Sequence, residues 1–450
     1  MKSILFSKVL KHIYFNSSVV IAFSGGIDST VLLDILSKIR DKKFKNISLR
    51  AFHINHGINK NSNNWEKHCS YQCYIRNIKL IKKKIILYKF PYGIECTLRK
   101  LRYDFFLKEL KKNEILFLAH HQDDQAESMF LSLKRGQGSA GLSCMKEISN
   151  FGSIKIVRPF ITCDKKLINR YANFFKIKWI EDDSNHDNRF DRNYLRNIIF
   201  PLIKKRWKNF SKYVNRSSKI YEEQEYVINH LIKERKNKFI YPDTSLNIFK
   251  IFFLDKFVGV SIIRFWSKDQ NIFFSRKNLF YIWKKILLYK KNVKKNINIK
   301  FGLFQIKNFK NKLYIIKKNY CYPILNKKIN WPINVNKINL PFNIGYVFKR
   351  SNFLENGICY NNYSIVRQPY KHENMFLRIG SIKYIFKYLN KEEIKLLKLI
   401  WNKKNLLPWE KEIIPFLFYN NKFISLIGVF VTKNGLPKSD ENKSYIYFKY

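Results

Sequence analysis

The chain has 450 residues, 46% of them hydrophobic, which is more than one core usually serves and predicts two or three folded domains. Its 86 Lys and Arg against 33 Asp and Glu give a formal charge of +53, an excess that points to a polyanionic partner. A drift toward Lys and Asn, visible from Lys291 to Lys300, accounts for part of that excess, so charge suggests nucleic acid without choosing between RNA and DNA.

The seven cysteines (Cys69, Cys73, Cys96, Cys144, Cys163, Cys321 and Cys359) form no Cys-x-x-Cys pair, which predicts reduced thiols in a cytoplasmic protein. His68-Cys69-x-x-x-Cys73 lacks the second ligand pair of a zinc site and reads instead as part of a helix. No run reaches the roughly 18 apolar residues of a membrane span, and no cleavable leader precedes the first domain, so neither a membrane nor secretion is expected.

In chain order, Val19 to Phe23 reads as a buried strand, followed after two glycines by a helix from Asp28 to Arg40 with Val31, Leu32, Ile35, Leu36 and Ile39 on one face. Further strands are predicted at Ile47 to Ile54, Ile78 to Leu87, Ile115 to Ala119, Ile154 to Val157 and Lys178 to Ile180. Between them, helices start near Asp123 (Ala126, Met129, Phe130 and Leu133 inward) and Lys165 (Leu167, Ile168, Tyr171, Ala172 and Phe175 inward).

That alternation predicts an α/β, doubly wound parallel sheet over residues 1–215. Long Lys-rich segments, Trp207 to Lys236 and Lys277 to Leu288 among them, predict a helical middle domain over 216–345. Runs such as Phe416 to Tyr419 and Phe423 to Val431 predict a small α+β C-terminal domain over 346–450.

The chemistry concentrates in the first domain. Ser24-Gly25-Gly26-Ile27-Asp28-Ser29 lies between a strand and a helix, where glycines let backbone approach an anion and a helix N-terminus offers unpaired N–H groups. No Lys follows the glycines, which excludes the loop of γ-phosphate transfer; Asp28 suggests Mg²⁺ held against a pyrophosphate. Ser-Gly-Gly-x-Asp-Ser resembles the signature of the N-type ATP pyrophosphatases, which implies ATP as the nucleotide and adenylation as the reaction.

At the same predicted sheet edge, a second cluster, Ala119-His120-His121-Gln122-Asp123-Asp124-Gln125-Ala126-Glu127, opens a helix. Asp123 and Asp124 can cap that helix and leave a carboxylate for Mg²⁺ or an ammonium group, and either histidine can approach ATP. A third cluster, Asp191-Arg192-Asn193-Tyr194-Leu195-Arg196, sets Arg192 and Arg196 one turn apart, suited to phosphate.

Together with His53-x-Asn55-His56-Gly57, Arg99-x-x-Arg102-Tyr103, Lys134-Arg135-Gly136, Gly141-Leu142 and Arg158-Pro159, these segments resemble the tRNA(Ile)-lysidine synthetase family over about residues 17–201. Arg264-Phe265-Trp266, Pro408-Trp409 and Ile414-Pro415 extend the resemblance more loosely. The chain departs from the family at Asp183, where Pro is usual, and at Lys411, where Arg is usual.

The resemblance implies a C–N ligase that adenylates the wobble cytidine of a tRNA(Ile) with a CAU anticodon, then displaces AMP with L-lysine. It implies that Asp123 or Asp124 orients the lysine, that Arg192 and Arg196 contact phosphate or the target nucleotide, and that the two later domains grip tRNA. A homodimer is left open. A tRNA thiolase shares the loop but usually carries paired cysteines; a small-molecule amide ligase leaves the charge unexplained; a non-enzymatic RNA-binding protein leaves the intact loop unexplained.

Overall fold

The computed structural model describes residues 2–55, 57, 61–85, 94–291, 296–317, 327–341, 344–351, 363–380, 386–403, 406–411, 413–439 and 441–449. The chain divides into two units, Met1–Leu231 and Ile232–Tyr450. None of the described helices is long and apolar enough to cross a membrane.

The first unit is built on a six-stranded sheet. Helix α1 (Lys2–Leu10) precedes β1 (Ser18–Ala22), α2 (Ile27–Lys42), β2 (Ser48–Asn55), α3 (Ser62–Tyr74), β3 (Lys79–Lys84), α4 (Ile94–Glu109), β4 (Glu114–Phe117) and α5 (Gln122–Lys134). Short α6 (Ser139–Leu142), β5 (Ile148–Phe151), β6 (Ile154–Val157) and α7 (Lys165–Phe174) follow. The strand order is β3-β2-β1-β4-β6-β5, parallel except for β5 against β6.

Alternation along β1 explains the helices on both faces. Val19 and Ile21 join one core with Val31, Leu32, Ile35, Cys69 and Tyr171, from α2, α3 and α7. Val20 faces the opposite way, into a second core with Phe52, Phe105, Phe106, Leu116 and Ile156. The doubly wound expectation therefore holds, with the loop after β1 at the carboxyl ends of the parallel strands.

Two strand expectations change. Lys178–Ile180 is not a strand; it runs past the strand ends, where the Ile180 N–H donates to the Gly25 carbonyl at 2.9 Å and braces the glycine loop. The unforeseen β5 is a largely exposed edge hairpin strand whose polar Ser149 and Asn150 gave no apolar run.

After β6 and α7 the chain forms α8 (Asp191–Tyr194), a π-helical turn at Leu195–Ile199, α9 (Phe200–Arg206) and α10 (Phe210–Glu234). Residue 216 lies within α10, whose C-terminal end is where the two units divide.

In the second unit, α11 (Lys236–Phe239), β7 (Leu246–Asn247), α12 (Ile248–Phe252), α13 (Lys256–Asp269) and α14 (Arg276–Lys291) supply the expected helices. They share a core with a four-stranded antiparallel sheet in the order β7-β10-β9-β8, from β8 (Asn298–Phe301), β9 (Phe304–Phe309) and β10 (Lys312–Lys317). The middle region is thus not purely helical. In those strands single inward residues such as Ile299, Ile306 and Leu313 alternate with lysines and asparagines, which read as solvated helix in the sequence.

The last part carries two antiparallel sheets. One has β11 (Lys327–Asn330), β15 (Met375–Ile379), β16 (Phe416–Tyr419), β17 (Lys422–Leu426) and β18 (Phe430–Val431); the other has β12 (Lys337–Asn339), β13 (Tyr346–Arg350), β14 (Tyr363–Arg367) and β19 (Lys443–Lys449). With α15 (Lys391–Lys403) they enclose Trp331, Val347, Leu377, Leu397, Phe416 and Phe448. The division expected at 345–346 falls between β12 and β13, which pair directly.

Candidate active site

Two tight turns at the carboxyl edge of the sheet bring the motifs together. The first follows β1: Gly25 adopts φ +86°, and a Cβ there would lie 2.8 Å from both Cys69 Sγ and Ile180 Cδ1, so only glycine fits. Gly26 is the N-cap of α2 and supplies no side chain to its first N–H groups, which suits an anion. Ser29 and Thr30 hydroxyls donate to the Gly26 carbonyl at 3.0 and 2.9 Å, and Ser24 Oγ lies 3.1 Å from Ser29 Oγ. His53 holds the neighbouring strand end, with Nδ1 2.9 Å from the Phe23 carbonyl.

The second turn follows β4. His121, rather than Asp123 or Asp124, is the N-cap of α5: its Nδ1 accepts from the Asp123 N–H at 3.2 Å, while Asp124 Oδ2 accepts from the His121 N–H at 2.9 Å. The reciprocal pair fixes the imidazole so that Nε2 lies 3.7 Å from Asp28 Oδ2 and 3.5 Å from Asp124 Oδ2. Loop and helix are thereby joined through one histidine.

The two aspartates part company. Asp124 is buried and receives Arg196 Nη2 on Oδ1 at 3.3 Å. Asp123 turns outward to Lys204 of α9, 2.7 Å away. The arginines meet on Glu127: Arg192 Nε and Arg196 Nε each lie 2.8 Å from its carboxylate, which has no solvent exposure. The turn of π-helix that begins at Leu195 lies in this arginine-bearing segment, and Lys134 and Asp191 pair at 2.5 Å to tie it to the end of α5.

The electrostatics follow from this packing. Burial works to raise the Asp28 pKa, but His121 and Lys165 outweigh it and hold the carboxyl below its ordinary value. Asp124 is likewise pulled down against burial by His121, His120, Arg192 and Arg196. Burial works to lower His121, but Asp124 and Asp28 reverse the sign and raise it, so that the charged ring gives up the bond its Nδ1 accepts from the Asp123 N–H in exchange for the two carboxylates. His120 is driven the other way, to about 3, by burial and by Arg158, Arg192 and Arg102 against the opposing pull of Asp124. Among the described residues, His120 Nδ1 and Arg158 Nε are buried without a hydrogen-bond partner.

All the sequence-predicted loop residues, His121, Asp124, Arg192 and Arg196 therefore gather at one edge, while Asp123 belongs to a side contact. His56 lies outside the described residues. Cys69 and Cys73 sit buried on α3, where burial raises both thiols, Cys73 to about 12. Asp183 opens a 3-10 turn capped by Asp182, Trp409 packs edge-on against Tyr314 at 5.3 Å, and Lys411 Nζ lies 4.9 Å from the Trp401 ring centre.

The sequence reading gave two residues no role in the chemistry. Glu127 carries the arginine pair, and its i+3 spacing from Asp124 on one helix face was the available signal. Lys165, taken only as a helix start, places Nζ 2.5 Å from Asp28 Oδ1; no local pattern links residues so distant in sequence.

Comparison with known proteins follows the same lines. Residues 3–203 match the model of a PP-loop domain, an ATP-binding module, and residues 384–448 match that of the TilS substrate C-terminal domain. The tRNA(Ile)-lysidine synthase of Photorhabdus laumondii is 32% identical over 430 residues, covering 95% of this chain and 94% of that protein. The same enzyme of Buchnera aphidicola from Acyrthosiphon pisum is 37% identical over 420 residues, covering 93% and 91%. That of Wigglesworthia glossinidia brevipalpis reaches 40% over 334 residues, covering 72% and 83%. A solved U34-tRNA thiolase from Methanococcus maripaludis is 19% identical with a TM-score of 0.40 over 48% of this chain and 78% of that one, too slight a likeness to bear on function.

Proposed function

The chain belongs to the tRNA(Ile)-lysidine synthase family, and on that premise we propose that it spends ATP to join L-lysine to C2 of the wobble cytidine in a CAU anticodon of tRNA(Ile). The observation that carries this reading is the continuous polar path from the glycine loop through Asp28, His121 and Asp124 to Arg196. It supports reading the edge as a triphosphate site beside a carboxylate suited to an ammonium group.

In the first step the C2 oxygen attacks the α-phosphorus of ATP and pyrophosphate leaves. The loop N–H groups and the α2 N-terminus favour the departing charge without reorganisation. Asp28, a carboxylate kept ionised by His121 and Lys165 beside the glycine loop, would hold a Mg²⁺ brought with ATP, and the ion would supply neutralisation of phosphate charge.

In the second step the neutral ε-amine of lysine attacks C2, the bond from C2 to the adenylate oxygen breaks with its electron pair leaving on AMP, and the nitrogen gives up its extra proton to solvent. Asp124, depressed and therefore ionised, holds the ammonium end of the substrate, and Glu127 fixes Arg192 and Arg196 toward phosphate of the adenylated nucleotide. Asp123, paired with Lys204, supports the position of α9 rather than the chemistry. The basic second unit grips tRNA through phosphates, and the tRNA substrate implies a cytoplasmic site of action.

The test is incorporation of radiolabelled lysine, with ATP and Mg²⁺, into a tRNA(Ile) transcript bearing CAU and into the same transcript with uridine at the wobble position. Label on the first alone is expected; label on neither, with ATP still cleaved to AMP and pyrophosphate in the presence of RNA, would overturn the acceptor and keep the adenylating site.

A further inference from the structure

Lys165 is the first residue of α7, so its ammonium sits at the positive end of that helix dipole, where a cation is disfavoured. Asp164 caps the helix by accepting from the Lys166 N–H at 2.9 Å and makes no demand on Lys165. The segment before it is fastened to the active site: the Gln122 N–H donates to the Cys163 carbonyl at 3.1 Å, and Gln122 Nε2 to the Thr162 carbonyl at 2.6 Å. Gln122 opens α5, next to His121, so the same helix start that orients His121 also fixes the root of Lys165.

The Lys165–Asp28 pair differs from the ion pairs that stiffen the site. Glu127 is wholly buried, whereas the Lys165 and Asp28 side chains are 28% and 29% exposed, open to an incoming ligand. Asp28 stands in the first turn of α2, directly behind the glycine loop. A triphosphate on that loop brings negative charge beside Asp28, and the carboxylate alone would repel it. An ammonium already held there removes the repulsion and offers three donors to phosphate oxygens.

We propose that Lys165 is a catalytic residue of the adenylation step, resting on Asp28 in the free protein and contacting the β- and γ-phosphates of bound ATP. As the bond from the cytidine oxygen to the α-phosphorus forms, the bond from that phosphorus to the bridging oxygen breaks, and its electron pair leaves on pyrophosphate. Lys165 neutralises charge on that leaving group and keeps its own proton. This assignment rests on the reading of the site as an adenylating one, but not on the identity of the acceptor.

The test is calorimetric binding of inorganic pyrophosphate with Mg²⁺, and of AMP, to the full-length chain and to its Lys165→Met and Lys165→Arg variants, with circular dichroism as a folding check. Lys165→Met should bind pyrophosphate about ten- to a hundredfold more weakly while AMP affinity stays within about twofold, and Lys165→Arg should recover part of the loss. Unchanged pyrophosphate affinity in folded Lys165→Met would overturn the proposal, as would a parallel loss of both ligands, which is what a merely structural ion pair predicts. Failure of the wild-type chain to modify the CAU transcript would instead count against the acceptor, leaving this result to stand by itself.

Discussion

Arg196 Nε lies 2.8 Å from Oε1 of Glu127, a carboxylate with no exposure to solvent, and Arg192 occupies the other oxygen at the same distance. One buried charge therefore holds two guanidiniums, and Arg196 Nη2, which donates to Glu127 Oε2 at 3.0 Å, also reaches Asp124 Oδ1, one helical turn earlier, at 3.3 Å.

Removing that charge strands its partners. Glu127→Gln keeps the shape but leaves Asp124 as the nearby carboxylate for both Arg192 and Arg196, and the expected loss of stability is about 3 kcal/mol, the low end for a broken buried pair because Asp124 and solvent still reach the arginines. Thermal unfolding with and without ATP checks it. Lysine addition should fall further than stability alone explains, and an unchanged melting temperature would refute the account.

The glycine loop gives a contrast between two left-handed glycines. Gly25→Ala meets Cys69 and Ile180 at 2.8 Å as well as the strain of φ +86°, so it should abolish measurable ATP binding. Gly136 has φ +61° with nothing within 4 Å of an added Cβ, so Gly136→Ala should cost only about 1 kcal/mol and leave ATP affinity intact. Equal effects on ATP binding would mean that strain, not the loop's crowding, governs the site.

The adjacent histidines should give pH dependences of opposite sign. The folded pKa of His121 lies above the ordinary 6.5, so its stabilisation is complete below about 6.5 and fades as pH rises through the folded value. The folded pKa of His120 lies near 3, so its contribution is complete above about 6.5 and is lost as pH falls toward 3. Melting curves between pH 5 and 8, a range of about three units around the histidine value, should flatten on the alkaline side in His121→Gln and on the acid side in His120→Gln. The reverse assignment would contradict the packing described for the pair.

Much of this was legible in the sequence because the first unit repeats one local rule, a short apolar strand followed by an amphipathic helix. Val19 to Phe23 and the helix carrying Val31 to Ile39 needed no knowledge of the rest of the chain, and the loop between them was readable as an anion site. What escaped depended on contacts distant in sequence. Ile180 looks like a strand residue until its N–H is seen to brace Gly25, and Asp123 is indistinguishable from Asp124 until α9 brings Lys204 to it. The sheet β7-β10-β9-β8 was hidden for a different reason: its solvent faces are Lys and Asn, the same residues that fill the exposed helices.

The second unit is where the tRNA grip should reside, and the strand pairing dictates how to test it. A chain ended near residue 350 would strip β13 of β19, to which it pairs from Tyr346↔Lys449 to Arg350↔Tyr445, and would expose Val347. Its failure to bind tRNA would then report misfolding. A chain ended after Leu231 instead removes the whole second unit and keeps every residue of the first unit's three hydrophobic clusters, the third formed by Ala126, Met129, Phe200 and Val214. That truncation should bind ATP like the full chain and lose most tRNA affinity, with a shallower dependence of binding on salt because fewer phosphates are neutralised. Filter binding at several salt concentrations, beside ATP calorimetry, measures both quantities. If tRNA affinity and its salt slope survive the truncation, the polyanion surface lies on the first unit and the charge of the second has another origin.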